Sequence, residues 1–216
     1  MYKYHKIETV FERDVEGTKK LIEGKFRDKT VEFLKDCPWE FTEKIDGTNI
    51  GIYWDGHKVN YQGRTEKAVI PKHLLSRLEE IFGGDENEQM FEQMFGEKEV
   101  VLFGEGYGKK IQKSGNQYNP DGADFILFDI YFPHSDTYLD RENMTNIARA
   151  FKVDVVPIIL TGTIQDSVDF VRQSRKSTIG DAEMEGLVGR PQVDVRDRTG
   201  KRVIVKVKHK DFAEME

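Results

Sequence analysis

The sequence predicts an α+β fold built on antiparallel sheets flanked by helices. Three observations lead there. Ile50, Ile52 and Trp54 recur at period two before an Asp55-Gly56 turn, which is the mark of a half-buried strand entering a hairpin. In "PKHLLSRLEEIF", Pro71 to Phe82, leucine and isoleucine fall at helical spacing behind a proline placed to open a helix. No linker, repeat or low-complexity tract interrupts the 216 residues, so one domain over 1–216 is expected.

Along the chain, Thr18 to Asp36 mixes charges and turn residues and reads as short strand or helix pieces. "EFTEKI" and "NIGIYWDGHKVNYQGRT" form the hairpin region, with Lys44 expected in the loop before the hairpin. After the Pro71–Phe82 helix, "GEKEVVLFGEGYG" and "ADFILFDIYF" read as two apolar strands. The loop joining them, Gly106 to Gly122, is longer than an ordinary hairpin connection, and long loops are often functional. "DRENMTNIARAF" and "SVDFVRQSRK" read as helices with one strand, "DVVPIILTG", between them. Two strands, "EMEGLVGR" and "RVIVKVKHK", close the pattern.

Hydrophobic residues make up 38% of the chain, a normal share for a soluble globular protein with a buried core. There is no apolar run long enough to span a bilayer and no secretory signal in "MYKYHKIETVFERD", which reads as cytoplasmic with no membrane partner. The single cysteine, Cys37, excludes an internal disulfide and a cysteine-based zinc cluster. A formal charge of −6 means the molecule as a whole is not a basic nucleic-acid binder. A local basic groove remains compatible with it, because salt screens distant charges beyond roughly 10 Å.

Three stretches place charge on otherwise apolar strands: "FGEGYG" around Glu105, "EGLVGR" around Glu185, and "VIVKVKHK" around Lys206 and Lys208. A charge there is costly unless it faces a polar site. Strand alternation puts Lys206 and Lys208 on one face and Val205 and Val207 on the other, and a paired-lysine face suits phosphate oxygens. The same alternation would put Glu183 and Glu185 on one face.

The ordered set "EKIDGTN", "GRT", "FGEGYGKKIQK", "DFILFDI", "EGLV" and "RVIVKVK" resembles the covalent nucleotidyltransferases, which include polynucleotide ligases and messenger-RNA capping enzymes. Within them it is most similar to the phage nick-sealing RNA ligases and the RNA-editing ligases, over Trp39 to Lys208. The resemblance implies an ATP-grasp-like nucleotidyltransferase domain that uses ATP and Mg²⁺ or Mn²⁺ and carries AMP covalently on Lys44. It places Glu43, Ile45 and Asn49 around the adenosine and Arg64 near the nucleotide or the incoming end. Phe128 would stack on adenine, and Glu105 would take the ribose hydroxyls. Glu185 would help position a metal or its waters, and Lys206 and Lys208 would hold phosphates. A lysine with a reference pKa of about 10.4 is protonated at neutral pH, and bringing it to about 7 corresponds to roughly 4.6 kcal/mol. Burial and adjacent cations are the expected means.

The implied partner is RNA, with a nicked duplex and an RNA/DNA hybrid among the candidates, and the oligomeric state is open. Asp46 stands where the nick-sealing RNA ligases usually have histidine, and Arg190 stands where a lysine follows "EGLV". The chain ends eight residues after Lys208, so no C-terminal OB-fold or other added domain is expected. A small DNA nick ligase and a non-catalytic nucleotide- or end-binding module are the alternatives. Lys109, Lys110 and Lys113, after "FGEGYG", are the candidate contacts to a nucleic-acid strand.

Overall fold

A computed structural model of the chain describes residues 1–213, which form two compact units. The first comprises Met1–His5 and Asp46–Val156; the second comprises Lys6–Ile45 and the chain from Pro157.

The first unit is built on a sheet ordered Asp154–Val155, Ala123–Phe132, Val100–Gly108, Thr48–Trp54, Val59–Gly63, with Thr137–Tyr138 also paired to Ala123–Phe132. Its pairings are antiparallel except for the short Asp154–Val155 edge, which runs parallel. The expected hairpin is present, with Ile50 opposite Gly63 and Trp54 opposite Val59. Its turn closes on Asp55, whose Oδ1 accepts from the N–H groups of His57 and Lys58 at 2.9 and 2.7 Å. Ile50, Ile52, Trp54, Leu102, Leu127 and Ile130 pack into one core with the helices Lys72–Phe82, Asp85–Phe95 and Arg141–Ala150. Pro71 caps the first of these helices instead of opening it. The Asp85–Phe95 helix goes beyond the sequence expectation. Its apolar content is only Met90, Phe91, Met94 and Phe95, but Gly84 and Gly96 bracket it and Asp85, Glu86 and Glu88 fill its first turn, favourable signals at a helix start.

The second unit is built on a five-stranded sheet ordered Glu8–Thr9, Val205–Lys208, Gly186–Pro191, Trp39–Lys44, Ile158–Gly162, with a separate Phe11–Arg13 and Leu21–Phe26 pair. Trp39, Phe41, Leu187, Val205 and Val207 form its core with Ile164, Val168 and Val171 of the helix Ile164–Arg172. That helix starts earlier than "SVDFVRQSRK" suggests, because Thr163 and Asp166 form a capping box at its start, and it ends at Arg172, where Gln173 turns to extended backbone.

Several expectations need correction. "DVVPIILTG" is two strands: Asp154–Val155 joins the first unit's sheet and Ile158–Gly162 the second's, and the chain passes from one unit to the other at Pro157, which has no N–H to continue a ladder. Lys44 is the last residue of the Trp39–Lys44 strand and does not lie in a loop. "EMEGLVGR" becomes a strand only from Gly186, so Glu183, bridged to Lys176, and Glu185 do not share a strand face. "RVIVKVKHK" is a strand over Val205–Lys208 followed by the short helix His209–Phe212. The strand entering the long loop runs on to Gly108, and the loop contains the short helix Gly115–Tyr118.

Candidate active site

In the second unit, the strand register sets Lys44, Gly186 and Lys208 in one row across three neighbouring strands. Residues directly opposite each other on antiparallel strands share a face, so both lysines flank a position that has no side chain. A Cβ at Gly186 would lie 2.2 Å from the Val207 carbonyl oxygen, and its φ of +155° is a further reason for glycine there. Glu185 fills the space: Lys44 Nζ donates to its Oε2 at 2.5 Å and Lys208 Nζ donates to its Oε1. The side chains of Lys44 and Glu185 are 25% and 17% exposed, so the pair is partly withdrawn from solvent and its attraction is screened less than a surface pair.

Lys206 lies one row further along the same face, opposite Val188, while Val205 and Val207 are buried, as the alternation predicts. Burial, with Lys208 and Lys44 nearby, pushes the Lys206 ammonium below its ordinary pKa. Burial alone would raise the Glu185 carboxyl, but the charge of Lys44 and the hydrogen bonds from Lys208 and Lys44 hold it below the usual carboxylate range. Lys206 and Lys208 thus lie near Lys44, with a carboxylate shared between two of the three lysines.

Glu43 faces the other way. Strand alternation turns it to the buried side with Trp39 and Phe41, where it is 1% exposed. Its carboxylate accepts from the Ser177 hydroxyl, from the Thr178 N–H at 3.0 Å and from the Thr178 hydroxyl at 2.5 Å. A buried carboxylate needs such partners. The Glu43 side chain thus anchors the segment that leads to Glu185, and the expectation of Glu43 beside the adenosine is not one its side chain satisfies on the Lys44 face. Sequence reasoning misses Ser177 and Thr178, since nothing in their local pattern points to Glu43, more than a hundred residues away. Ile45, next to Lys44, is buried.

In the first unit, Ile50 and Ile52 point to the core, so Asn49, Gly51 and Tyr53 lie on the opposite face of their strand. Asn49 is directly opposite Glu105, which brings two expected adenosine residues side by side. Phe128 sits on a β-bulge: Phe103 pairs with Asp129 and Gly104 with Leu127, which leaves Phe128 as the extra residue. A bulge re-aims a side chain, and the half-buried Phe128 is outside both hydrophobic clusters of the described residues. Arg64 is exposed, one residue beyond the Val59–Gly63 strand.

The turn after Lys44 is fixed by the long loop. Ser114 donates to Asp46 Oδ2 at 2.6 Å, the Asp46 N–H donates to the Tyr118 hydroxyl at 3.2 Å, and Gln112 Nε2 donates to the Gly47 carbonyl at 3.0 Å. A Cβ at Gly47 would lie 2.3 Å from the Gly106 carbonyl oxygen, so only glycine allows this approach. The loop is itself pinned by buried Ile111 and by His73 Nε2 against the Lys109 carbonyl at 2.7 Å. Lys109, Lys110 and Lys113 are all exposed, and Lys110 and Gln112 adopt positive φ. Strained backbone of this kind concentrates at functional sites.

Among the described residues, no three His, Cys, Asp or Glu side chains group to hold a metal ion, so those residues by themselves offer no closed metal cage. Glu185 could still serve a hydrated divalent ion whose other ligands are phosphate oxygens and water, the usual manner of Mg²⁺. No helix among the described residues is long and apolar enough to cross a membrane.

Comparison with solved structures gives the same fold in Naegleria gruberi RNA ligase. One variant with ATP and Mn superposes with a TM-score of 0.62 at 21% identity, over 85% of this chain and 54% of that one. A second variant with ATP and Mn gives 0.66 at 21% identity, over 98% and 59%. An apo variant gives 0.61 at 24% identity, over 85% and 55%. This chain thus spans between half and two thirds of the length of those ligases. No curated protein sequence matches it. The profile of the RNA ligase family matches residues 37–208, which include Lys44, Glu105, Phe128, Glu185, Lys206 and Lys208, and the chain belongs to that family.

Proposed function

We propose that this protein is an ATP-dependent RNA ligase that joins a 5′-phosphate to a 3′-hydroxyl, with residues 1–216 acting as one adenylyltransferase domain. The observation that carries this reading is the pair Lys44 and Lys208, set in one row across the sheet and bridged by the Glu185 carboxylate, with Lys206 one row further on the same face, all within the family match. The lysine stands at the end of a strand, its amine is held by one carboxylate, and the amines of Lys206 and Lys208 stand on the same face, which supports a role in binding phosphates.

In the first step, Lys44 Nζ attacks the α-phosphorus of ATP, a P–N bond forms, and the bond to the β-phosphate oxygen breaks to release pyrophosphate. The ammonium gives up one proton to solvent before the attack, and a second leaves the nitrogen for solvent as the P–N bond forms. Lys206 and Lys208 neutralise the charge that builds on the phosphate oxygens. A bound Mg²⁺ or Mn²⁺ would add charge neutralisation at the same oxygens, with Glu185 as its protein ligand or the acceptor of its waters. In the second step, a 5′-phosphate oxygen of the RNA attacks the same phosphorus, the P–N bond breaks, and a pyrophosphate linkage joins AMP to the strand. In the third, the 3′-hydroxyl attacks the strand's 5′-phosphorus and AMP leaves.

Asn49 and Glu105 serve the ribose and adenosine, Phe128 stacks on the base, and Arg64 meets the nucleotide or the incoming end. Ile45 lines the adenosine. Glu43 acts through its hydrogen bonds to Ser177 and Thr178. Structures of the Naegleria gruberi ligase include variants with ATP and Mn and with AMP and Mn, which supports the cofactor assignment. Incubation with α-labelled ATP and a divalent ion, followed by denaturing electrophoresis, should leave label on the protein, and labelled GTP should not. Matched all-RNA, hybrid and all-DNA nicks then set the substrate class. Absence of any protein-bound label with ATP would overturn the reading, and sealing of DNA alone would move it to the DNA nick ligases.

A further inference from the structure

We infer that Tyr4, in the N-terminal segment, is a positioning residue for Phe128, so that Met1–His5 forms part of the base platform. This rests on the ligase reading above and deepens it.

The segment "MYKYH" alternates in burial: Met1 and Lys3 are exposed, while Tyr2 and Tyr4 turn inward. It is fastened at two points. At the first, the Tyr2 N–H donates to Gln62 Oε1 at 3.3 Å, Gln62 Nε2 donates to the Tyr2 carbonyl, and the Tyr2 hydroxyl donates to Glu99 at 3.1 Å. Gln62 can lie there because its neighbour Gly51 has no side chain; a Cβ on Gly51 would come within 2.8 Å of Gln62 Cγ. At the second, the Tyr4 hydroxyl donates to Asp129 Oδ2 at 2.7 Å, and Asp129 is completely buried. The Tyr4 ring meets Phe103 edge-on at 5.1 Å and stacks with His5 at 4.5 Å.

Held in this way, Tyr4 meets the Phe128 ring at 5.0 Å with an interplanar angle of 73°. Phe128 needs such a neighbour. As the extra residue of a bulge it lies outside the one-to-one register of the ladder, so the register does not fix its direction. An edge contact restrains the ring yet leaves it a face that Tyr4 does not cover, and a stacked base requires such a face.

The test measures protein-AMP formation against ATP concentration for the wild type, Tyr4→Ala, Tyr4→Leu, Tyr4→Phe, Phe128→Leu and the double variant Tyr4→Ala/Phe128→Leu, with the melting temperature of each. Tyr4→Ala should raise the apparent KM for ATP about tenfold, with kcat within about twofold of wild type. Tyr4→Phe, which keeps the ring and removes only the bond to Asp129, should raise it about threefold. In the Phe128→Leu background, Tyr4→Ala should add nothing further, because its effect passes through that ring. A Tyr4 role in packing alone predicts less active protein with KM unchanged, and that result would overturn the proposal, as would effects that simply add. If Tyr4→Ala does not fold, Tyr4→Leu reads the same KM. A wild type that forms no adduct would instead condemn the ligase reading itself.

Discussion

The two sheets present different kinds of polar group. The five-stranded sheet shows ions: Lys44, Glu185, Lys208 and Lys206 on one face. The face of the other sheet turned away from its helices shows amides and aromatic rings, Asn49, Gln62, Phe103, Phe128 and Tyr53, with the carboxylates Glu105 and Glu99 among them. Ionic groups suit phosphate chemistry, in which charge develops and must be neutralised. Rings and amides suit recognition of a base and a sugar, whose contributions are individually modest. Substitutions in the first set should therefore stop chemistry, and those in the second should mostly change ATP affinity.

The sharpest way to break that contrast is at Lys44. Lys44→Ala should eliminate the protein-bound AMP label altogether. Lys44→Arg should do the same, since arginine does not lose its proton near neutral pH. Label retained on either variant would place the nucleophile elsewhere.

Phe128→Ala probes the recognition side, and should weaken ATP use by about 1–3 kcal/mol, roughly 5- to 150-fold, with little change in the rate at saturating ATP. Phe128→Leu keeps apolar volume without a ring. If it binds ATP as well as wild type, the ring is packing and not a platform.

A smaller effect is expected from the pinned loop. Replacing Lys109, Lys110 and Lys113 with alanine should leave AMP transfer to the protein unchanged while depressing sealing of a 5′-phosphorylated strand. For every single-strand phosphate that a lysine no longer neutralises, the salt dependence of log affinity should flatten by roughly 0.7, so a flattening of about 2 corresponds to all three lysines touching phosphate. Equal loss in both half-reactions would assign the loop to the nucleotide or to holding Asp46 and Gly47.

The smallest effect concerns pH and stability. The Glu185 carboxyl is held below its ordinary range in the folded protein, so its contribution is present above the unfolded value near 4.5 and is lost as pH falls through the lower folded value. Glu185→Gln should therefore be less stable than wild type at neutral pH, by about 1–2 kcal/mol, and the gap should close on acidification. Denaturant titrations of both proteins between neutral pH and about pH 3 measure this; a gap that stays constant would show that the ion pairs contribute nothing to the fold.

What the sequence determined by itself was what depends on local period and on short motifs. The hairpin around Asp55-Gly56, the helix after Pro71, and the alternation of Val205, Lys206, Val207 and Lys208 are each fixed within a few residues, because side-chain direction repeats every two or 3.6 positions. The ordered motifs also led to the RNA ligase family. The tertiary structure alone decided what depends on partners distant in the chain. It split "DVVPIILTG" between two sheets, since a run of apolar residues does not say which edge it will join. It turned Glu43 away from Lys44 toward Ser177 and Thr178, and it brought Glu185 onto Lys44 across 141 positions. It also set Tyr4 against Phe128 through a bulge that no local pattern announces. Burial and strand register create those contacts, and both are properties of the assembled chain.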